Sequence, residues 1–171
     1  MNESIKNILN RRSIRKYKND SIPDEYINEI VKCGTYAPSG MNRQSSIILV
    51  IKDKETRDKL SALNAKIMGA NIDPFYGAPI ILIVLANKDI PTYIYDGSLV
   101  MSNMMLAASS LGLGSCWIHR AKEMFETKEG QDLLKSLGIE GNYEGIGNCI
   151  IGYPAETPSA KERKEHYIYQ I

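Results

Sequence analysis

Three short segments carry side chains able to hold an anion or a flat heterocycle. The first is Arg11-Arg12-Ser13-Ile14-Arg15. Guanidinium groups present planar forks of donors that take phosphate oxygens bidentately, and the Ser13 hydroxyl adds a further donor. The plain alternative is a solvated basic turn, with cations placed favourably beyond a helix C-terminus. Taken alone the segment favours that alternative, because charge runs are usually solvated. The second segment is Pro38-Ser39-Gly40-Met41-Asn42-Arg43-Gln44. Glycine lets backbone approach a planar ligand closely, and the amides of Asn42 and Gln44 both donate and accept, as the edge of a heterocycle requires. Pro, Ser, Gly and Asn are equally the residues of an ordinary turn, and alone that reading prevails here too. The third is Gly112-Leu113-Gly114-Ser115-Cys116-Trp117. It could turn backbone amides towards a cofactor ring, or it could simply be a helix end passing into a core strand.

Other chemistries find little support. The third segment lacks G-x-G-x-x-G spacing and follows a helix instead of opening one, so the dinucleotide fingerprint fails. No G-x-S-x-G, H-E-x-x-H or P-loop occurs. Cys116 stands beside Trp117 and Ile118, which predicts a buried, unreactive thiol. His119 has no carboxylate partner nearby in sequence. Lys161-Glu162-Arg163-Lys164 reads as a charged surface tail.

The elements that position these segments are readable from periodicity. Ile5, Ile8 and Leu9 share one face of a short helix at 3–10. A second helix runs from Pro23 to about Cys33, with Ser21 or Ile22 as its cap and Gly34 as its stop. Residues 46–52 and 80–85 are apolar, β-branched runs expected as buried strands, separated by an amphipathic helix at 54–68. Residues 96–111 are apolar around most of a helix circumference, which suits the centre of a core or a subunit interface. Residues 115–118 and 145–152 are further strands, with one or two short helices between 122 and 137. The tail after Tyr167 alternates weakly. Strands alternate with helices without regular βαβ crossovers, so an α+β fold with a mixed or antiparallel sheet covered by helices is expected.

Composition bounds the function. The 171 residues fit one domain spanning 1–171, given about 150 residues per domain. Lys and Arg number 21 against 20 Asp and Glu, a net charge of +1. That balance argues against broad binding to nucleic acid or an anionic membrane. Three cysteines without a C-x-x-C pair suggest free thiols in a reducing cytoplasm and no metal site. The N-terminus lacks the features of a signal peptide, and the longest apolar run, Ala78 to Ala86, falls short of the roughly 20 residues of a membrane helix.

Weak singly, the segments are informative in order. RRSIRKY at 11–17, APSGMNRQ at 37–44, FYGAP at 75–79, LGLGSCWI at 111–118, IGYPAE at 151–156 and KERK at 161–164 together resemble the FMN-dependent nitroreductase family in its short form. The resemblance runs nearly end to end. It implies a three-layer α+β sandwich and an obligate homodimer with one FMN per subunit, both flavin sites lying at the interface. It also implies that the C-terminal tail extends towards the partner.

Carried over residue by residue, the resemblance assigns Arg11, Arg12 and Ser13 to the FMN phosphate and ribityl end, with Lys161 and Arg163 completing the phosphate site. Arg15 corresponds to a basic position that reaches the pyrimidine edge, where a cation would stabilise the charge collecting on reduction. Pro38, Ser39 and Gly40, with Asn42 nearby, correspond to the loop that lies against the flavin from the other subunit. Gly114, Ser115 and Cys116 correspond to the backbone passing the ring. Many members follow Asn-x-Gln with Pro-Trp; here Gln44-Ser45-Ser46 stands instead, so a bulky anchor at the strand entrance is missing. No long excursion separates Asn87 from Asp96, which implies an open flavin face.

The implied activity is an NADH- or NADPH-dependent oxidoreductase, with alternating half-reactions on a small acceptor such as a nitroaromatic, a quinone or a flavin. No side chain is nominated as a catalytic acid or base. A flavin-binding sensor or carrier with little turnover, or a different flavin reaction such as reductive dehalogenation or flavin breakdown, are the alternatives. A nucleic-acid patch on a non-enzymatic domain is a third, disfavoured by the net charge.

Overall fold

The structure is a computed structural model describing residues 1–171. Four strands form one antiparallel sheet: β1 (Ser46–Ile51), β2 (Ile80–Asn87), β3 (Gly114–Ile118) and β4 (Tyr143–Gly152), in the order β1-β2-β4-β3. The expected choice between mixed and antiparallel thus resolves to antiparallel. The one parallel pairing is the isolated bridge between Ser13 and Ser115, which lays the basic segment along the outer edge of β3.

Seven helices surround the sheet. They are α1 (Glu3–Asn10), α2 (Asp24–Thr35), a single 3-10 turn (Gly40–Asn42), α3 (Lys54–Met68), α4 (Tyr93–Ser110), α5 (Ala121–Glu126) and α6 (Lys128–Ser136). Strand β2 is central, and its alternation divides the core. Ile81, Ile83 and Leu85 face a cluster with Leu60, Met124, Phe125 and Leu134 from α3, α5 and α6. Ile80, Leu82 and Val84 face Ile27, Ile30, Met101 and Met104 from α2 and α4. This is the three-layer sandwich: a sheet apolar on both faces must be covered on both. No helix is long and apolar enough to cross a membrane.

Local details differ from the sequence reading. Pro23 itself, in extended conformation, is the N-cap of α2; neither Ser21 nor Ile22 is, and no side chain caps the helix. Gly34 does not stop α2 but lies within it, where a Cβ would come within 2.8 Å of Met104 Cγ. Its role is close helix packing. Helix α4 begins at Tyr93, three residues before Asp96, which therefore sits inside the first turns and not at the start. The tail after Pro158 forms no strand and is exposed throughout.

Candidate cofactor site

Glycine at 114 allows the basic segment to approach β3. A Cβ there would stand 2.8 Å from the Ile14 side chain, and Ile14 N–H donates to Ser115 O at 2.9 Å. Arg11, Arg12 and Ser13 are thereby brought beside Gly114, Ser115 and Cys116. The two arginines differ. Arg12 Nη1 donates to Leu9 O at 2.7 Å and Arg11 O at 2.8 Å, closing the C-terminal end of α1 as the plain reading foresaw. Arg11 Nη1 is buried with no partner, and so is Ser115 Oγ. Arg11 is only half-buried overall, but a buried N–H donor left without an acceptor is costly. The Arg11 donors fit an anion with several acceptor oxygens.

Arg15 is exposed at the same edge, and its N–H donates to Glu156 Oε1 at 2.5 Å. Ala155 N–H donates to Lys16 O at 2.9 Å, so the chain leaving β4 runs beside the basic segment before the tail departs. Lys161 and Arg163 are exposed on that tail, joined only by Arg163 Nη2 donating to Lys161 O at 2.8 Å. Cys116 is buried. Burial pushes its thiol up, against the downward pull of Arg15, Ser13 and Arg11, so it stays protonated and unreactive at neutral pH.

The loop 38–44 lies elsewhere. Ser39 Oγ accepts from Gln44 N–H at 3.0 Å, and Asn42 Oδ1 accepts from Gln44 Nε2 at 3.2 Å. Gly40 N–H donates to Asp96 Oδ1 at 3.0 Å; Ser45 Oγ at 2.8 Å and Thr92 Oγ1 at 3.0 Å donate to Oδ2. Desolvation pushes the Asp96 carboxyl up, but these three donors outweigh it and hold it below the ordinary carboxylate range. Residues 88–92 form only a short turn between β2 and α4, with no helical excursion.

Register fixes how far apart the two groups stand. Ser46, which follows the loop, aligns through Ala86 with Glu144 on β4, whereas Ser115 aligns with Ile151. Allowing for the bulge at Ile146, that difference is six ladder steps, about 20 Å along the strands, and about 14 Å across three inter-strand gaps. The groups occupy diagonally opposite corners of the sheet. Within one protomer no flavin-sized molecule touches both.

Asp96, Ser45 and Thr92 were not foreseen as part of the loop's support. The available signal was Asp96 itself, the one charged residue in Tyr93–Ser110.

Comparison with known proteins identifies the family and the fold. The sequence profile of the Nitroreductase family matches residues 8–153. A candidate NADH dehydrogenase/NAD(P)H nitroreductase of Archaeoglobus fulgidus is 32% identical, over 98% of this chain and 94% of its own length. Among solved structures, a nitroreductase with bound FMN from Bacteroides fragilis superposes with a TM-score of 0.86 at 31% identity, covering 100% of both chains. One from Desulfitobacterium hafniense, also with bound FMN, gives 0.90 at 26% identity over 100% and 99% of the two chains.

Proposed function

The chain belongs to the nitroreductase family, and on that premise we propose that it is an FMN-dependent oxidoreductase. It takes hydride from NADH or NADPH and delivers two electrons to a small acceptor, a nitroaromatic, a quinone or a flavin. The observation that carries this reading is the pair of buried, unpartnered donors Arg11 Nη1 and Ser115 Oγ, which a phosphate monoester would satisfy. FMN, when bound, supplies the hydride-accepting and hydride-donating chemistry. The protein's own groups bind and orient. Arg11, Ser13 and Ser115 would hold the phosphate and ribityl end, with Lys161 and Arg163 brought in by the tail, while Arg12 closes the end of α1 beside them. With FMN bound, Arg15 would supply a cation at the pyrimidine edge, where it would favour reduction. Gly114 and Cys116 would offer backbone beside the ring. No side chain serves as acid or base.

The site is composite. Pro38, Ser39, Gly40 and Asn42 come from the other subunit, because their corner lies diagonally opposite the phosphate corner and a two-fold axis brings opposite corners together. Unburied apolar groups support a homodimer. Helix α1 exposes Ile5, Ile8 and Leu9, helix α4 exposes Tyr95 and Leu99, and the tail exposes Tyr167, Ile168 and Tyr169. The short 88–92 turn leaves the acceptor side open, which supports broad acceptor selection. Three free thiols suit a reducing cytoplasm.

The test is steady-state oxidation of NADH and NADPH by the FMN-loaded protein with a quinone and with a nitroaromatic. Parallel double-reciprocal lines are expected, since donor and acceptor use one place in turn. An FMN-loaded protein that oxidises neither donor would overturn the enzyme reading in favour of a sensor or carrier.

A further inference from the structure

Loop 38–44 holds an unfavourable backbone. Met41, Asn42 and Gln44 have φ of 54°, 53° and 49°, three non-glycine residues in the left-handed region within four positions. Such residues persist only where their surroundings over-determine them. Packing does little of that work here. The loop borders a cavity of about 310 Å³, shared with Ser45, Ser46 and Val100, at the strand entrance where the chain has two serines in place of a bulky anchor. Ser46 Oγ is buried there without a partner.

What grips the loop is a single carboxylate. Asp96 is 3% exposed, and its two oxygens take the Gly40 N–H, the Ser45 hydroxyl and the Thr92 hydroxyl. Its charge is answered by these donors and by the positive end of α4, not by a cation. The grip is steric as well. A Cβ at Gly40 would lie 2.4 Å from Thr92 Oγ1, so the loop rests directly on the side chain that Asp96 also fixes.

We propose that Asp96 is the positioning residue of the flavin loop: its buried carboxylate clamps Gly40 and Ser45 and holds residues 38–42 in the strained shape in which they meet the cofactor of the partner subunit. The ligand end of this inference rests on the flavin reading given above. Hydrogen bonding from α4 thus substitutes for packing at the strand entrance.

The substitutions D96A, D96N and G40A separate the possibilities. D96A removes all three bonds. D96N keeps an oxygen for the Gly40 N–H and an amino group for the two hydroxyls, which can rotate to accept. G40A leaves Asp96 intact and forces the loop off Thr92, so it serves even if D96A does not fold. Two measurements apply to the homodimer: FMN affinity by flavin fluorescence titration, and amide exchange over residues 38–46 without FMN. D96A and G40A are expected to weaken FMN binding by about tenfold or more and to speed loop exchange by about tenfold, with D96N within about threefold of wild type. Wild-type affinity and loop protection in D96A would overturn the proposal, as would a D96N as impaired as D96A. A lowered melting midpoint with intact FMN affinity would reduce Asp96 to a helix-stabilising residue. A wild-type protein that takes up no FMN would overturn the flavin reading, and the exchange comparison would still decide whether Asp96 holds the loop.

Discussion

Replacing Arg11 with Met should separate cofactor binding from stability. Arg11 Nη1 is buried and unpartnered, whereas Arg12 Nη1 is occupied by two carbonyls at the end of α1. A hydrogen bond to a charged group contributes about 1.5–3 kcal/mol, which is roughly ten- to a hundredfold in affinity. R11M should therefore weaken FMN binding by that factor. Riboflavin, which lacks the phosphate, should bind the variant and the parent alike. Leaving a buried donor unsatisfied costs about 1–3 kcal/mol, and Met keeps much of the apolar stem while removing that donor. The flavin-free variant should therefore melt no lower than the parent. R12M should behave oppositely, losing about 1 kcal/mol of stability with the α1 cap. Parallel fluorescence titrations with FMN and riboflavin, and thermal melts without flavin, test this. Equal losses for the two flavins, or none for FMN, would refute the placement of the phosphate at Arg11.

Further outcomes follow from the same geometry. Mixing R11M with G40A subunits should restore activity to about a quarter of wild type, since half the dimers are mixed and each holds one undamaged site; recovery would not occur if each site lay within one protomer. Ile83 is fully buried at the centre of the sheet, so I83A should cost about 2–5 kcal/mol in denaturant unfolding. G145A should prevent folding or strongly lower the melting point, because a Cβ there would lie 2.3 Å from the Ala121 backbone. Asp73 joins the 73–77 turn to α3: it accepts from Arg57, Ser61 and the Phe75 and Gly77 N–H groups. Desolvation raises its carboxyl, but these partners outweigh it and set the folded value below the ordinary one. The unfolded chain then binds the proton more readily, so this contribution is complete above the ordinary carboxylate range and is lost as pH falls through the folded value. D73N should flatten the acid limb of the melting-point profile.

Most elements were legible because burial and periodicity coincide. Strand β2 is apolar at every position from Ile80 to Ala86, and a strand covered on both faces needs that. The start of α4 was less legible. Tyr93, Ile94 and Tyr95 suit strands by propensity, and tertiary contacts, including Tyr93 Oη donating to Glu144 at 3.1 Å, draw them into the helix. Gly34 resembled a helix stop because its use is steric, and the Met104 side chain against it lies on another element. At the site, residue types marked Arg11 and Arg12 as candidate anion donors, but the difference between them depends on which guanidinium turns inward. The diagonal placement of the basic segment and loop 38–44 follows from strand order and register, which no local pattern encodes. Asp96 shows the same limit: one acid in an apolar helix signals a polar partner, and only the fold identifies Gly40 and Ser45.

The most direct test of the central claim is the visible absorption spectrum of the purified protein reconstituted with FMN, recorded before and after anaerobic addition of NADH and then NADPH. The account predicts bound flavin that bleaches with at least one donor and recovers its colour when a quinone is added. A protein that takes up no FMN, or whose bound flavin neither donor bleaches, would contradict it.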